Sequence, residues 1–429
     1  MNGSPPVPLH RNRDYRRLWA AHALSAFGSQ ATYIALPLVL LTATHSVTDF
    51  GIVIFVEIGS SVFLGLPAGV LVDRIPHKRL LLCCDLGRAC AFGLFALAVV
   101  SHRVSLPLAV LLAVVNSVLG APFGPAASAA LRDVVPPSQL TSALSFSQAR
   151  AATVTLAGPL VGAALYAVTP VLPFIVDALS YLASAACVAS VRLPTRAPEA
   201  GRTAAAPRFL RDLTTGVHEV RRSPFLRYTL VNAAVVNFAF HGIVLVLIAQ
   251  GAGGGDDGSA GFHNGAIIAV SGVGNLVGSL CATWAGRVFS PRALVLVIGW
   301  TTAVLVPLLP LSGNIAFTGL IIGLCGLTAP AANVVISAAR LHSVPKHLQG
   351  RVQTACDLIP ALIVPFGPLT AGALLDRLPA STVLLLYGAV LAVLAVFSTA
   401  SSGLRRIPDL RETPVPDPRP VRAQPETHA

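Results

Sequence analysis

The chain has 429 residues, of which 54% are hydrophobic and only 11% are charged, and its mean hydropathy is +0.73. A soluble protein of this length carries charge at about a quarter of its positions, so the composition excludes an ordinary soluble fold. The net charge of +12 would suit a nucleic-acid-binding protein only if the basic residues gathered on one face of a domain. They lie instead in short clusters between apolar blocks, so we expect no nucleic-acid partner.

Apolar blocks follow one another along the whole chain, and they have the length of roughly 17 to 25 residues that crosses a bilayer as a helix. This pattern predicts an all-α membrane protein with about 12 transmembrane helices. The predicted helices cover residues 18–41, 50–72, 79–100, 106–130, 142–166, 171–191, 225–249, 264–285, 292–311, 314–339, 351–374 and 380–402.

The Lys and Arg residues mark alternate loops between the predicted helices. Of the 30 such residues, 26 fall on one side of the membrane when the loops are assigned in alternation. Because cytoplasmic loops carry an excess of positive charge, we predict a multi-pass protein of the plasma membrane with both termini in the cytoplasm. The seven cysteines lie within or beside apolar blocks and form no CxxC pair, which favours neither a disulfide framework nor a metal site.

Charge and proline patterns divide the chain into five parts. A cytoplasmic segment, 1–17, precedes a six-helix half, 18–191, and a basic linker, 192–224, leads to a second six-helix half, 225–402. The proline-rich tail, 403–429, is predicted to be disordered. In the linker, apolar residues at near-helical spacing among arginines predict an amphipathic helix on the cytoplasmic membrane surface, and a plain basic linker is the alternative.

An internal repeat relates the two halves. Gly158-Pro159 in the fifth predicted helix recurs as Gly367-Pro368 in the eleventh, at an offset of 209 residues. Because an offset of six helices preserves the direction of each helix, we predict two parallel six-helix pseudo-repeats with a cavity between them near the middle of the membrane. Further pairs recur at offsets of 209 to 213 residues: Val135 and Val344, Arg17 and Arg227, Arg74 and Arg287, and Arg79 and Arg292.

The loop between the second and third predicted helices carries the most specific motif. A glycine there allows close helix packing, and an aspartate accepts charge-assisted hydrogen bonds from arginines or a helix N-terminus across an interface. The motif therefore predicts a latch that holds one conformation and releases it, whereas a merely topogenic loop would not need the aspartate. Its residues are Gly69, Asp73, Arg74, Lys78 and Arg79.

This loop resembles the cytoplasmic signature of the major facilitator superfamily, although Pro76 stands where a glycine is usual. Gly158, Pro159 and Gly162 are similar to the fifth-helix motif of the superfamily's exporters, and the segment before the seventh helix resembles the enterobactin-exporter-like, drug-efflux branch. The resemblance implies the major facilitator fold and favours export. Asn116 stands where many antiporters of the superfamily carry an arginine linked to proton coupling, so the usual coupling site is absent.

Ionisable residues inside the predicted helices are functional candidates, because each is costly to place in hydrocarbon. Glu57 has no partner nearby in the sequence, and a buried carboxyl group without a partner can take up and release a proton, so Glu57 is the first candidate for coupling. Asp85 and Arg88 lie three residues apart and are expected to form a structural ion pair. The other coupling or cavity candidates are Asp357, Asp177, Arg150, His22, His241 and Asn116.

These features favour a secondary active transporter that exports a small organic compound, such as a drug, a siderophore or a secondary metabolite, by proton antiport and alternating access. An importer or facilitator of a small metabolite and a transport-inactive membrane sensor or scaffold are the alternatives. The sequence contains no nucleotide-binding P-loop, and we expect no enzymatic activity, no cofactor and no bound metal. The expected partners are the small-molecule substrate, protons and the lipid bilayer, and we expect a monomer.

Overall fold

The structure, a computed structural model, is helical throughout most of the part of the chain that it describes. The predicted tail, 403–429, and most of the predicted helix 264–285 lie outside the described residues, and the residues described between 270 and 285 are helical. The described residues are 8–192, 205–252, 270, 273–274, 277–282, 284–285, 288–311, 315–345 and 348–401.

The first helices form a bundle that we call the first bundle: α1 (Arg13–Thr44), α2 (Val47–Arg74), α3 (His77–Val100), α4 (Leu106–Gly120), α5 (Phe123–Val134), α6 (Leu140–Val168) and α7 (Leu172–Ala189). The Asn12 side chain caps α1 by accepting hydrogen bonds from the backbone N–H groups of Asp14 and Tyr15. It also donates a 3.1 Å hydrogen bond to the carbonyl of Val134, so the start of α1 is tied to the end of α5.

The described part of the linker forms the helix α8 (Ala205–Arg222). The described helices that follow form a second bundle: α9 (Pro224–Ala252), α10 (Pro291–Leu305), α11 (Ile315–His342), α12 (Gln349–Ile363), α13 (Phe366–Leu375) and α14 (Ala380–Ala400). A short 3-10 helix, Val306–Leu311, continues α10. The apolar residues in the described second part of α8 are covered by protein, because Leu213, Val217 and Val220 pack with residues of α12. These contacts account for the apolar residues in the second part of α8, and contact of the linker with the membrane surface stays a prediction.

Prolines interrupt two of the predicted helices. The predicted helix 106–130 is two helices, α4 and α5, which meet at Pro122. The predicted helix 351–374 is likewise α12 and α13, which meet at Pro365. A proline has no N–H to donate, and its ring clashes with the preceding turn, so each helix stops and a new one starts.

Ten helices or joined helix pairs of the described residues are long and apolar enough to cross a bilayer. The count rises to eleven if Pro137–Thr155 and Leu160–Val168, which meet at 40°, form one span. The pairs α4 with α5 and α12 with α13 each form a single span. The prediction of an all-α membrane protein is therefore confirmed.

The two bundles share one apolar core. In the first bundle α1 packs against α6 and α7, and in the second α9 packs against α12, α13 and α14. The largest cluster of buried apolar residues extends from Phe50 and Phe95 in the first bundle to Ile321 and Leu384 in the second. We call the end at which α1 begins and α2 ends the basic end, and we call the opposite end the far end.

The bundles meet at the far end, where α2 begins and α13 ends. Gly51 of α2 lies against the backbone of α13, and a Cβ atom at this position would come within 2.8 Å of the carbonyl oxygen of Pro368. The rings of Phe55 and Phe366 make an edge-to-face contact across the same interface, with their centroids 5.2 Å apart. The far end is therefore closed by close backbone packing.

Candidate functional site

The first bundle encloses a cavity of about 510 Å³ near the basic end, a volume within the range of small-molecule sites. Residues of α1, α5 and α6 form most of its wall, and Arg88 reaches it from α3. We call it the basic cavity, because its described wall contains His22, Arg88 and Arg150 but no carboxylate. The rest of the wall is largely apolar and includes Leu18, Trp19, Phe123, Leu131 and Val154.

Arg88 is held by an ion pair and by two aromatic rings. Its Nη2 atom lies 2.9 Å from Oδ1 of Asp85, and the hydroxyl of Ser184 donates a 2.6 Å hydrogen bond to the second oxygen of that carboxylate. The guanidinium lies over the rings of Phe123 and Tyr181, at 4.3 and 4.4 Å from their centroids. The Asp85 charge is thus satisfied inside the bundle, while Arg88 also lines the basic cavity.

Three buried polar atoms at the wall of the basic cavity have no hydrogen-bond partner among the described residues. They are the hydroxyl of Tyr15, Nε2 of His22 and Nε of Arg150. The His22 ring contacts Phe123 edge to face, with 5.4 Å between the centroids. Most buried polar groups in proteins are paired, and an unpaired one costs about 1–3 kcal/mol. The cavity therefore holds several polar groups that a ligand could satisfy.

A smaller cavity of about 280 Å³, the Glu57 cavity, lies between α1, α2 and α4. The amide of Asn116 donates a 3.0 Å hydrogen bond to Oε1 of Glu57, and the hydroxyl of Ser117 donates one of 2.9 Å to the Glu57 backbone carbonyl. Ile248 of α9 also lines this cavity, which therefore adjoins the second bundle. The structure brings together two residues, Glu57 and Asn116, that the sequence identified separately.

Asp177 is fully buried between α7 and α1. It accepts a 2.8 Å hydrogen bond from the hydroxyl of Thr32 and one of 3.3 Å from that of Ser180. Gly28 of α1 lies directly against Asp177 and Ser180, where a side chain has no room. Asp177 lines neither the basic cavity nor the Glu57 cavity, and its contacts hold α1 against α7.

Two other candidates lie away from both cavities. Asp357 on α12 is exposed and accepts hydrogen bonds of 2.9 and 3.0 Å from the amide of Gln353. His241 on α9 has its Nδ1 atom 2.9 Å from the carbonyl of Asn237. Of the two histidines proposed to line a cavity, His22 does so in the first bundle, whereas His241 is absent from the described cavity walls.

The repeated Gly-Pro motifs occupy close helix contacts. Gly158 and Gly162 of α6 lie directly against α1, and Gly367 of α13 lies directly against the backbone of α9. The carbonyl oxygen of Pro368 faces α2, while the side chain of Pro159 lies outside the described residues. Each glycine permits an approach that a Cβ atom would prevent, so the repeat preserves a packing contact in both bundles.

The predicted latch lies where α2 ends and α3 begins. Of Gly69 and Asp73 only the helical backbone is described. Arg74 and Arg79 are exposed, whereas the Lys78 ammonium donates hydrogen bonds of 2.6 and 2.8 Å to carbonyl groups at the end of α7. Lys78 thus ties α3 to α7 within the first bundle, and a contact of the latch with the second bundle stays a prediction.

Sequence reasoning missed two aromatic residues of the basic cavity. Tyr15 and Trp19 occupy the charged start of the chain, and both line the cavity with His22. The spacing of these three residues, at positions i, i+4 and i+7, places them on one face of α1. This spacing is the sequence feature from which Tyr15 and Trp19 could have been predicted to share a surface with His22.

A cavity in the second bundle was also missed. It has a volume of about 260 Å³, lies among α9, α10 and α11, and is lined by the amides of Asn232, Asn237 and Asn333. Arg340 at its wall donates hydrogen bonds of 3.2 and 3.4 Å to the hydroxyl and carbonyl of Thr229, so the guanidinium has partners. The cavity in the second bundle thus offers amides beside a hydrogen-bonded guanidinium, whereas the basic cavity offers polar groups without partners.

A comparison with known protein families identifies the family to which the chain belongs. The sequence pattern of the Major Facilitator Superfamily matches residues 18–355. The chain belongs to this superfamily. The predicted family and the predicted major facilitator fold are confirmed, and the protein is a multi-pass membrane transporter of a small-molecule substrate rather than a member of an enzyme family.

Two curated relatives of this superfamily member are named for efflux. Macrolide efflux protein A of Streptococcus pyogenes is 24% identical over 405 residues, which cover 91% of this chain and 96% of the relative. Macrolide efflux protein A of Enterococcus faecalis is 26% identical over 314 residues, which cover 70% of this chain and 92% of the relative.

Solved structures of transporters have the same fold. The nucleoside transporter NupG aligns with a TM-score of 0.72 and 13% identity, covering 91% of this chain and 99% of its own. A bacterial homologue of the iron transporter ferroportin in an inward-facing state aligns with a TM-score of 0.67 and 14% identity, covering 92% of this chain and 100% of its own. At such identities the likeness concerns the fold and not the cargo.

Proposed function

We propose that the protein exports a small organic compound from the cytoplasm, by alternating access and in exchange for protons. The similarity to macrolide efflux proteins, which covers 96% of one of them, supports export as the direction. The candidate cargoes are drugs, siderophores and other secondary metabolites. The cell membrane of the host would be the site of action, with the protein working as a monomer.

One geometric feature carries this proposal. The two bundles meet at the far end, at Gly51 and Phe55 of α2, whereas the basic cavity lies near the basic end. The hydroxyl of Thr48 adds a 2.5 Å hydrogen bond to Asp376 across the far end. If the basic end faces the cytoplasm, as the positions of 26 of the 30 Lys and Arg predict, this arrangement can take up cargo from inside the cell.

Release would require the far end to open. Rocking of the first half, 18–191, against the second half, 225–402, would separate α2 from α13 and close the basic end. The latch of Asp73 with Arg74 and Arg79 would hold the basic end in its closed form. Two halves built on one repeat suit this motion, because each presents the same kind of glycine contact to its first helix.

Glu57 is the proposed coupling residue. It lines a cavity that adjoins the second bundle, and its hydrogen-bond partner is the neutral amide of Asn116 rather than a cation. A carboxyl group in such surroundings can bind a proton in one conformation and release it in the other, as its access to water changes. Asn116 would orient the carboxyl group.

Export is tested by accumulation in cells. Cells that express the protein should accumulate less of at least one labelled compound from a panel of macrolides, dyes and siderophores than cells carrying an empty vector. A lower accumulation that disappears when the proton gradient is collapsed would support antiport. Higher accumulation in the expressing cells would instead indicate an importer and would contradict the proposed direction.

Coupling is tested with Glu57→Gln in proteoliposomes. This variant keeps the size and polarity of the side chain but cannot exchange a proton, so a pH gradient should no longer drive transport, while exchange of cargo across the membrane continues. Asp357→Asn is the matched control, because Asp357 is exposed and lies outside the Glu57 cavity. A Glu57→Gln variant that responds to the gradient as the wild type does would assign coupling to another group.

A further inference from the structure

We propose that the basic cavity binds an anionic group, a carboxylate or a phosphate, on a small amphiphilic compound. The inference rests on the proposed transport function for the identity of this compound as cargo. Binding itself can be measured without transport, so the two proposals can fail separately.

The polar wall of the cavity offers cations and polar atoms without partners. Arg150 forms no ion pair with any described residue, and its Nε atom is buried without a hydrogen-bond partner. The buried hydroxyl of Tyr15 and Nε2 of His22 line the same cavity and also lack partners. A ligand oxyanion could accept hydrogen bonds from these groups, and bonds to a charged acceptor are the strong ones.

The two fully buried carboxylates of the first bundle, Asp85 and Asp177, do not neutralise the cavity. Asp85 is fully buried, and its two oxygens are occupied by Arg88 and Ser184. Asp177 is also fully buried and receives hydrogen bonds from two hydroxyl groups, and it does not line the cavity. The described wall therefore leaves Arg150 as a cation without a counter-charge.

A second cavity adjoins the basic cavity and is also cationic. It has a volume of about 670 Å³ and lies at the basic end, and Tyr15 and Trp19 line both cavities. Its wall adds three arginines at the start of α1, of which Arg17 lies 4.0 Å from the carboxylate of Asp14. A cleft lined by one sign of charge raises the local concentration of ligands of the opposite sign. Anions would therefore be enriched at this approach.

The remaining wall indicates what the anion is attached to. Leu18, Trp19 and Val154 provide an apolar surface beside the polar groups. A compound with one anionic group and an apolar body would satisfy both parts of the wall. A cationic compound would meet Arg150 and Arg88 here, and among the described cavity walls it would find a carboxylate only at the separate Glu57 cavity.

The binding test uses Trp19 as the reporter. The chain has three tryptophans, and Trp284 and Trp300 are exposed, so replacing these two by phenylalanine leaves Trp19 at the cavity wall. This protein, in nanodiscs of phosphatidylcholine, is titrated with 4-phenylbutyrate, its neutral amide and the cationic 4-phenylbutylamine. We expect the carboxylate to bind about tenfold more tightly than the amide, because its hydrogen bonds are charge-assisted, and the amine to bind most weakly.

Variants show which residues produce the preference for the carboxylate over the amide. Arg150→Gln should reduce the advantage of the carboxylate over the amide to about twofold or less, and Arg150→Lys should retain most of it. Tyr15→Phe removes one hydroxyl while keeping the ring, and it should lower carboxylate affinity severalfold if Arg150→Gln proves too unstable to purify. Arg103→Gln is the matched control, since Arg103 is exposed on a loop outside the cavity. Equal binding of the three probes by the wild type would overturn the proposal.

Competition then identifies the source of the anion. Displacement of 4-phenylbutyrate by phosphatidylglycerol in the disc, but not by dissolved glycerol 3-phosphate, would assign the site to a lipid headgroup. Displacement by the dissolved phosphate would assign it to a soluble compound, and displacement by neither would overturn the site. Binding without any change of accumulation in cells would remove the proposed export and leave the anion site standing. Export of neutral or cationic compounds alone, with equal binding of the three probes, would support the proposed export and contradict the anion site.

Discussion

Gly51→Ala should shift the transporter away from the state in which the far end is closed. A Cβ atom at this position would lie 2.8 Å from the carbonyl oxygen of Pro368 and 3.3 Å from the Cα atom of Leu369. The first distance is 0.6 Å short of the 3.4 Å at which ordinary contact begins, and the obstacle is backbone that cannot rotate away. The strain exists only while α2 and α13 are in contact, so it should favour their separation.

The size of the shift follows from the cost of overpacking. Adding a methyl group to a tightly packed contact costs about 1–3 kcal/mol, and the gain in helix propensity from glycine to alanine cancels because α2 is helical in both states. The ratio of far-end-closed to far-end-open molecules should therefore fall by about 5- to 150-fold. Spin labels at Ala43→Cys and Arg377→Cys, in a background without the native cysteines, would report the change as a population at longer distance.

The matched control is Gly65→Ala on the same helix. An added Cβ atom at Gly65 meets nothing within 4 Å, so this variant gains the same helix propensity without the contact. Distance distributions that are identical for Gly51→Ala and Gly65→Ala would refute the reasoning, because they would show that the close approach at Gly51 does not stabilise the closed far end.

Two further variants test other contacts of the first bundle. Gly28→Ala would place a methyl group directly against Asp177, so it should lower the thermal unfolding temperature in detergent by a stability cost of about 1–3 kcal/mol. The control is Gly93→Ala on α3, where the added Cβ atom meets nothing within 4 Å, so the unfolding temperature should not fall. Equal unfolding temperatures for the two variants would contradict the packing role of Gly28. Asp73→Ala should abolish export while the protein still inserts into the membrane, and wild-type export by this variant would remove the latch.

The spans could be predicted from the sequence because the bilayer imposes a length on apolar runs. The breaks inside them could not, since a proline within a transmembrane helix is tolerated wherever neighbours satisfy the freed backbone. Pro37 lies within the continuous helix α1 and Pro330 within α11, whereas α5 begins after Pro122 and α13 after Pro365. A single proline therefore does not predict a break, whereas the two breaks share the longer sequence Pro-Phe-Gly-Pro, at 122–125 and 365–368, which Pro37 and Pro330 lack.

The site was partly predictable for a similar reason. Glu57, Arg150 and His22 are visible as ionisable residues within apolar blocks. Their pairing depends on the rotation of one helix relative to another, which a periodicity of 3.6 residues does not determine between separate helices. The hydrogen bond between Glu57 and Asn116, 59 residues apart, is of this kind. The position of Tyr15 and Arg150 at the wall of one cavity likewise depends on the relative rotation of α1 and α6.

The internal repeat preserves the close glycine contacts in both bundles, whereas the polar groups that line the cavities differ between the bundles. Gly158 lies against the first helix of its bundle and Gly367 against the first helix of the other, so both halves keep the contact on which a rocking motion depends. Cationic and polar groups without partners line the cavity of the first bundle, whereas the described wall of the cavity in the second bundle contains amides and Arg340, whose guanidinium is hydrogen-bonded to Thr229. An anionic group bound only to residues of one rigid half would move with that half and would not oppose the motion. Glu57, whose cavity also touches Ile248 of the second bundle, would sense the motion, and we therefore expect cargo recognition and coupling to reside in different cavities.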